Sequence, residues 1–261
     1  MAAQKAWQVD GDHRSINMFT GGLQIHEQDI YKPHRYQMHA LGAIAMAENG
    51  DLYRYVYAGT TTDFVAGKLY VGIAQTDNHR DMTVAASNVI GDRVVTLDLG
   101  ATAITANEYD EGFLFFNDNS PEGEWYKIKS HEVSDLSTEC KFTLDRPLLT
   151  ATTVDSSEAT ITRNPYRIPA ISQLITEKAV GVPVCNWDVS AYERYGWLKT
   201  RGPACVLIDA NGTTVGYKVA ISDATDGAVG ATAGDQTEVV IGQMLDTGTA
   251  GEYCPLNLMI D

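Results

Sequence analysis

Basic residues are scarce in this sequence. Lys and Arg total 19 of its 261 residues, Asp and Glu total 34, and the net charge at pH 7 is -15. Because such a surface repels phosphate groups and anionic lipid heads at long range, we expect neither nucleic acid nor a membrane as a partner. The charge also favours solubility at high protein concentration.

Long hydrophobic runs are lacking as well. No window approaches the roughly 18 uninterrupted apolar residues that indicate a transmembrane helix. The first residues, MAAQKAWQVDGDHRS, contain no apolar segment of the kind found in secretion signals. We therefore expect a protein that is made in the cytoplasm, without a secretion signal or a membrane span.

Cysteine is present but never clustered. The chain has four cysteines, each alone within an apolar or strand-like stretch, and no C-x-x-C pair: Cys140, Cys185, Cys205 and Cys254. This spacing gives no metal-binding or redox pattern and favours four buried thiols in a reducing compartment. One or two disulfides remain as the alternative.

Helical periodicity is weak throughout, whereas strand-like runs are frequent. Between Met82 and Leu149, short segments rich in β-branched and aromatic residues alternate with turn-rich pieces such as NDNSPEG. Short helices of a turn or two are predicted only at residues 105–111 and 188–196. The pattern predicts an all-β protein built from small β-barrel or β-sandwich modules.

Two segments share a hairpin-like pattern. AENGDLYRYVYAGTT, residues 47–61, has an Asn-Gly pair followed by tyrosines at alternate positions, and DANGTTVGYKVAISD, residues 209–223, repeats much of it. Asn-Gly favours a two-residue hairpin turn, and strand alternation places Tyr53, Tyr55 and Tyr57 on one face. We predict a hairpin module that occurs twice; two unrelated Asn-Gly hairpins are the alternative.

Composition and turn signals divide the chain into five segments. The first residues are polar and contain four of the six histidines, and Pro165 and Pro169 interrupt regular structure in the second half. We predict an extended N-terminal arm at residues 1–40, a first β module at 41–80, a middle β domain at 81–150, a linker at 151–176 and a C-terminal β module at 177–261.

Recognisable catalytic and metal-binding motifs are missing. HEQDI at His26 and HEVSD at His131 begin like the zinc-protease motif, but Ile30 and Asp135 stand where its second histidine is required. A histidine-rich arm that binds a metal is the less favoured alternative to a solvated polar arm. We predict no catalytic, cofactor-binding or metal-binding residues and no cofactor.

Loop motifs for calcium and phosphate are also incomplete. DNSPEGEWYKIK, from Asp118, ends in Lys129 where a calcium loop needs a bidentate carboxylate, so an acidic β-turn is predicted. The glycines that follow Gly227 have the wrong spacing for a dinucleotide fingerprint, and no G-x-S-x-G occurs. Asp110 and Glu111 form an acidic pair of the kind that a glycosidase uses, but 34 acids make such pairs common by chance.

The tryptophans and tyrosines have two possible roles, in a sugar-binding surface or in a core or subunit interface. The chain has 13 tyrosines and four tryptophans, Trp7, Trp125, Trp187 and Trp197. These residues form sugar-stacking surfaces in some proteins, but sheet cores and subunit interfaces use them more often. We favour the core or an interface.

The strand-and-turn patterns resemble one protein family. LGAIAMAENGDLYRYVYAGTTTDFVAGKLYVG, from Leu41, is similar to the small β module of tailed-bacteriophage capsid decoration (cement) proteins, and the segment from Gly196 to Asp261 resembles it again. Residues 83–132 are similar to the middle region of uncharacterised virion structural proteins of marine phages. The resemblance covers residues 41–261 through loose turn-and-strand patterns, and leaves the arm out.

The resemblance implies a virion protein on the outer surface of the phage head. Its expected partners are the major capsid protein and further copies of itself, as a homotrimer, and no catalytic residues are carried over. A protein that binds the mature shell but not its dissociated subunits stabilises that shell by mass action. A phage tail or fibre component, or a virion protein that binds a receptor glycan, is the alternative; a hydrolase on a β scaffold is the least favoured hypothesis.

Overall fold

A computed structural model describes most of the chain as β-structure. It describes residues 9–10, 13–20, 23–47, 49–135, 138–173, 178–232 and 238–261, with the backbone alone for those up to residue 29. Trp7 lies outside the described residues, and the side chains of His13 and His26 are not described. The chain divides into a first unit, residues 1–73 and 165–261, and a second unit, residues 74–164.

The strands are numbered along the chain. Residues 1–73 contain β1 (Val9–Asp10), β2 (His13–Thr20), β3 (Leu23–Asp29), β4 (Ile44–Met46), β5 (Leu52–Tyr57) and β6 (Tyr70–Val71). The second unit contains β7 (Met82–Thr83), β8 (Val94–Asp98), β9 (Phe113–Asp118), β10 (Trp125–His131), β11 (Glu139–Leu144) and β12 (Glu158–Thr162). The remainder contains β13 (Ala170–Ile171), β14 (Ala179–Pro183), β15 (Tyr195–Leu207), β16 (Lys218–Ile221), β17 (Val229–Ala231), β18 (Gly242–Met244) and β19 (Tyr253–Met259).

These strands confirm the prediction of an all-β protein. Among the described residues, the helical structure is a single 3-10 turn at Asp77–His79. Residues 105–111 and 188–196 form turns before the chain re-enters a strand, so the short helices predicted there are wrong. At the second of these sites, Asp188 accepts hydrogen bonds from the backbone N–H groups of Ser190 and Ala191, which stabilises a turn in place of a helix.

The first unit is a curled 13-stranded sheet in the order β1-β2-β4-β5-β15-β19-β18-β16-β17, with β3, β14, β6 and β13 attached beside this path. The long strand β15 organises it. Its first half pairs with β5 and β14, and its second half pairs with β19. Strands from residues 41–80 and from residues 177–261 therefore belong to one sheet.

Within the predicted N-terminal arm, the described residues 9–10, 13–20 and 23–29 form strands, and residues 30–40 form turns, bends and a single bridge. Strand β2 pairs with β1 and β3, and it joins the sheet where Asn17 lies opposite Met46 of β4.

The second unit is a six-stranded sheet in the order β7-β12-β9-β10-β11-β8. A bridge between Val84 and Leu97 brings its two ends together, so the sheet is nearly closed into a barrel. Alternate residues point inward, and Leu114, Tyr126 and Ile161 are fully buried. This unit gives the barrel-like module that the sequence predicts.

The predicted linker at residues 151–176 differs from the structure. Strand β12 lies within it and pairs with both β7 and β9, so its first half is part of the barrel. Its Pro165 does mark a boundary, because the chain leaves the second unit after Asn164. The residues before Pro165 alternate in burial along β12 and form a strand, not a linker.

The first Asn-Gly hairpin is confirmed. Strands β4 and β5 are antiparallel with Met46 opposite Leu52, and Gly50 has a φ of +87°. Tyr53 and Tyr55 are buried and Tyr57 is half-buried, as the alternation predicts.

The second Asn-Gly pair does not join a hairpin. Strand β15, which precedes it, pairs with β5, β14 and β19, whereas β16, which follows it, pairs with β17 and β18. The loop instead forms bridges from Ile208 to Val229 and from Thr213 to Gly248. Tyr217, the predicted partner of Tyr55 in the repeat, is 56% exposed. The prediction of a repeated hairpin is therefore wrong at this site.

Candidate interaction surfaces

Three exposed aliphatic side chains lie on two neighbouring loops of the second unit. Val89, Ile90 and Leu149 are 66%, 69% and 59% exposed. The loops are joined by backbone hydrogen bonds from Gly91 to Leu148 and from Leu148 to Asp92, at 3.0 and 2.7 Å. We call these three side chains the aliphatic tip. Clustered exposed apolar side chains are typical of surfaces that bind another protein.

The loop that carries Val89 and Ile90 is locally fixed. The carboxylate of Asp92 accepts a hydrogen bond from the N–H of Val89 at 2.9 Å, and the N–H of Asp92 donates to the carbonyl of Val89 at 3.2 Å. Because the turn is closed from both sides, the backbone that carries these apolar side chains is held in place. The aliphatic tip is therefore an ordered feature of the barrel.

A second exposed apolar surface lies on the outside of the same barrel. Strand β9 reads F-L-F-F, and alternation sends Leu114 and Phe116 into the core while Phe113 and Phe115 face outward. Trp125 of β10 is directly opposite Phe115 and is 51% exposed. The ring of Phe113 lies 6.2 Å from that of Phe115 and 5.8 Å from that of Trp125. We call these three rings the aromatic face.

Polar groups flank both ends of the aromatic face. At one end, the Asn117 amide donates to the Asp81 carboxylate at 2.6 Å, and the Thr160 hydroxyl donates to the Asn117 carbonyl oxygen at 3.2 Å. At the other end, Lys127 forms an ion pair with Glu111 at 3.2 Å. The face thus combines aromatic rings with hydrogen-bonding groups at its edges.

The histidines of the second unit belong to a buried network. His79 Nδ1 lies 2.5 Å from the hydroxyl of Tyr109, and His79 Nε2 lies 3.0 Å from the carbonyl oxygen of Thr102. His131 Nε2 accepts the N–H of Tyr109 at 3.0 Å, which assigns the ring proton to Nδ1, 2.7 Å from the carbonyl oxygen of Glu132. Burial raises the pKa of the Tyr109 hydroxyl. These hydrogen bonds fix the loop that follows residue 100, and the buried groups are not accessible to a substrate.

A cleft of about 400 Å³ lies in the first unit. Its lining consists of residues 57–62, Ile73, residues 168–171 and Gln173. The described residues of the lining are apolar residues, a glycine, three threonines, Gln173 and Tyr57, and they include no carboxylate, imidazole or thiol. The polar side chains in the lining are the hydroxyl groups of Tyr57 and the threonines and the amide of Gln173.

The cysteines are thiols with differing exposure. Cys140 and Cys254 are buried, as predicted, but Cys185 is half-buried and Cys205 is exposed, and none of the four forms a disulfide. Cys205 is exposed because it lies in the second half of β15, where alternate residues face solvent. Burial raises the pKa of the Cys140 thiol to about 11, which keeps it protonated and unreactive at neutral pH.

The remaining sequence motifs have structural positions. Asp118 ends β9 and Lys129 lies within β10, so the calcium-like segment is the predicted turn, here connecting two paired strands. Gly227, with a φ of +76°, precedes β17, whose Gly230 packs against the carboxylate of Asp209. The two residues of the acidic pair have different partners: Glu111 forms an ion pair with Lys127, and Asp110 lies 3.8 Å from His131.

The tryptophans divide between core and surface. Trp187 and Trp197 are each 1% exposed and belong to the hydrophobic core of the first unit, in agreement with the favoured reading. Trp125 is different, because it lies on the aromatic face. Its exposure follows from its position opposite Phe115, which cannot be read from the sequence before the strand register is known.

Further comparisons add no assignment. Within the part of the chain that the structure describes, no group of three or more His, Cys, Asp or Glu side chains is placed to hold a metal ion. Over the same residues, the structure has no helix that is long and apolar enough to span a membrane. No protein-family model, curated protein or solved structure matches the chain.

Proposed function

We propose that this protein is a non-enzymatic structural protein of a tailed-phage virion. In this proposal it decorates the outer surface of the head, binds the major capsid protein and stabilises the shell by bridging neighbouring subunits. The carrying observation is the aliphatic tip: three exposed apolar side chains on hydrogen-bonded loops of a β-barrel. Removal of such an apolar surface from water by a protein partner lowers the free energy of the complex.

Other features are consistent with this role. The net charge of -15 suits an exterior position, away from packaged DNA. The described lining of the cleft in the first unit contains no carboxylate, imidazole or thiol, which is consistent with a scaffold protein. Among the described strands β3 pairs with β2 alone, so its other side is an edge that can accept a strand from a neighbouring subunit. We include a homotrimer in the proposal on the strength of the sequence resemblance.

The experiment measures binding to mature phage heads that lack the protein. Purified protein is sedimented with such heads, and the resistance of the heads to heat is compared with and without it. We expect saturable binding and greater heat resistance. Light scattering of the free protein gives the oligomeric state, and immunogold labelling of virions gives the location. Label on the tail, or absence of binding to heads, would contradict head decoration.

A pair of variants tests the role of the aliphatic tip. The double variant Val89→Asp/Ile90→Asp places charge on the tip, and we expect at least a tenfold loss of affinity for heads. Val239→Asp is the matched control, because Val239 is 63% exposed but belongs to the first unit. If the double variant binds heads as tightly as the wild type and the control variant do, the tip is excluded as the contact. Thermal unfolding verifies that each variant is folded.

A further inference from the structure

We infer that the aromatic face of the second unit, Phe113, Phe115 and Trp125, binds an uncharged oligosaccharide. The three rings lie on two adjacent strands, with Phe115 38% and Trp125 51% exposed. An exposed ring offers its negative π face to the partly positive C–H bonds on one side of a sugar ring, and this contact also removes apolar area from water. Alternation along β9 and β10 directs these rings to solvent and not into the core of the barrel.

The size of the face matches a sugar. Neighbouring strands lie about 5 Å apart, and alternate residues along a strand about 7 Å apart, so the three rings cover roughly the area of one or two sugar units. The residues beside the rings on β12 are the half-buried Thr160 and Thr162, opposite Phe115 and Phe113, and they add hydroxyl groups to the surface.

The flanking polar groups match the hydroxyl groups of a sugar. Asp81 and Asn117 are exposed and already joined to each other and to Thr160, so their orientation is fixed before a ligand arrives. A carboxylate and an amide together accept and donate hydrogen bonds, as the hydroxyl groups of a sugar require. Fixed polar groups beside apolar rings are the usual composition of a small-molecule site.

Charge selects an uncharged ligand. The charge of Lys127 is offset by Glu111 at 3.2 Å, so Lys127 does not present an unpaired positive charge to a sugar acid or a sulfate. The carboxylate of Asp81, at the opposite end of the face, repels anionic groups. Neutral hexoses and N-acetylhexosamines do not need a cation at Lys127 and are not repelled by the carboxylate of Asp81. This inference is independent of the location of the protein on the virion.

A glycan array followed by calorimetry tests the inference. The probes are uncharged oligosaccharides of hexoses and N-acetylhexosamines, with sialylated and polyuronic oligosaccharides as anionic comparators. We expect binding to at least one uncharged probe and a change in tryptophan fluorescence when it binds. Binding to none of the uncharged probes, or to anionic probes alone, overturns the inference.

Variants locate the binding. We expect Trp125→Ala and Phe115→Ala each to lower the affinity for the best uncharged probe at least tenfold, and Trp125→Phe to lower it less. Tyr217→Ala is the matched control, because Tyr217 is 56% exposed but lies in the first unit, and its affinity should equal that of the wild type. Wild-type affinity in both Trp125→Ala and Phe115→Ala overturns the inference.

The two functions are separated by a head-binding measurement on the same variants. If the inference holds, Trp125→Ala binds heads as the wild type does, whereas Val89→Asp/Ile90→Asp does not. Loss of head binding in Trp125→Ala, without sugar binding by the wild type, assigns the aromatic face to the capsid and overturns the inference while it supports head decoration.

Discussion

The two Asn-Gly turns of the first unit look alike in sequence but are stabilised in different ways. Each has a buried aspartate two residues from its asparagine: Asp51 follows Asn49, and Asp209 precedes Asn211. Asp51 is bound by the ammonium group of Lys199 at 2.6 Å, with both side chains almost fully buried. Asp209 is bound by neutral donors, the N–H of Asn211 at 2.9 Å and the hydroxyl of Ser222 at 3.4 Å.

Both carboxylates require a neighbouring glycine. A Cβ atom at Gly202 would lie 1.9 Å from Asp51 Oδ1, and one at Gly230 would lie 2.5 Å from Asp209 Oδ2. The difference lies in the partner strands. Lys199 comes from β15 at a bulge and ties that strand to the β4–β5 hairpin, whereas the Asp209 carboxylate binds Asn211 in its own loop and Ser222, the residue after β16. A turn tied by a buried ion pair should therefore be more sensitive to mutation than one tied by neutral donors.

The largest effect is expected for Lys199→Met. Removal of the ammonium group leaves the Asp51 carboxylate buried without its counter-charge, and such losses cost about 3–5 kcal/mol of unfolding free energy. Urea unfolding measures the change. The double variant Lys199→Met/Asp51→Leu should recover part of it, because the unpaired charge is gone.

The control for this prediction is Lys141→Met. Lys141 lies 3.9 Å from Glu132, and both side chains are more than half exposed, so the expected change is about 0–1 kcal/mol. A loss in Lys199→Met as small as in this control would show that the buried pair does not stabilise the hairpin.

The second effect, in order of size, is that of Asp209→Ala. The substitution leaves the hydroxyl of Ser222, which is 3% exposed, without the Asp209 acceptor, and an unpaired buried polar group costs about 1–3 kcal/mol. Asp246→Ala is the matched control, because Asp246 also accepts a backbone N–H, from Thr247, but is exposed. We expect about 0.5 kcal/mol or less for that control. If Asp209→Ala costs as much as Lys199→Met, the contrast between the two turns fails.

The comparison also shows how far the sequence determines the fold. Asn49–Gly50 lies between strands that are adjacent in the chain, and the alternation of tyrosines identifies both the hairpin and its inward face. At Asn211–Gly212 the same residues are present, but the loop pairs with Gly248 and Val229, which lie far along the chain. Local propensity cannot reveal those partners, since they depend on the register of β19 and β17.

The candidate surfaces show the same limit. In β9, strand alternation places Phe115 and Leu114 on opposite sides of the sheet. The position of Trp125 opposite Phe115, and of Leu148 beside Gly91, depends on pairing between strands and loops. An exposed aromatic or aliphatic cluster therefore becomes recognisable only when the register is known.

A smaller effect is expected for Gly212→Ala. Gly212 has a φ of +67°, a conformation that costs an L-residue about 1–2 kcal/mol. The new Cβ atom would also lie 3.0 Å from the carbonyl oxygen of Gly248, the residue that pairs with Thr213. We expect a loss of about 2 kcal/mol in urea unfolding. A neutral result would mean that the loop shifts freely, contrary to the tight pairing described above.

The smallest effect is expected for Gly50→Ala. Gly50 has a φ of +87°, but a Cβ atom there would meet no heavy atom of the described residues within 4 Å, so only the backbone term remains, about 1 kcal/mol. Gly50→Asn should cost less than Gly50→Ala, because asparagine tolerates this conformation better. A larger loss in Gly50→Ala than in Gly212→Ala would reverse the order. It would mean that the first turn is constrained by its backbone as well as by the buried ion pair.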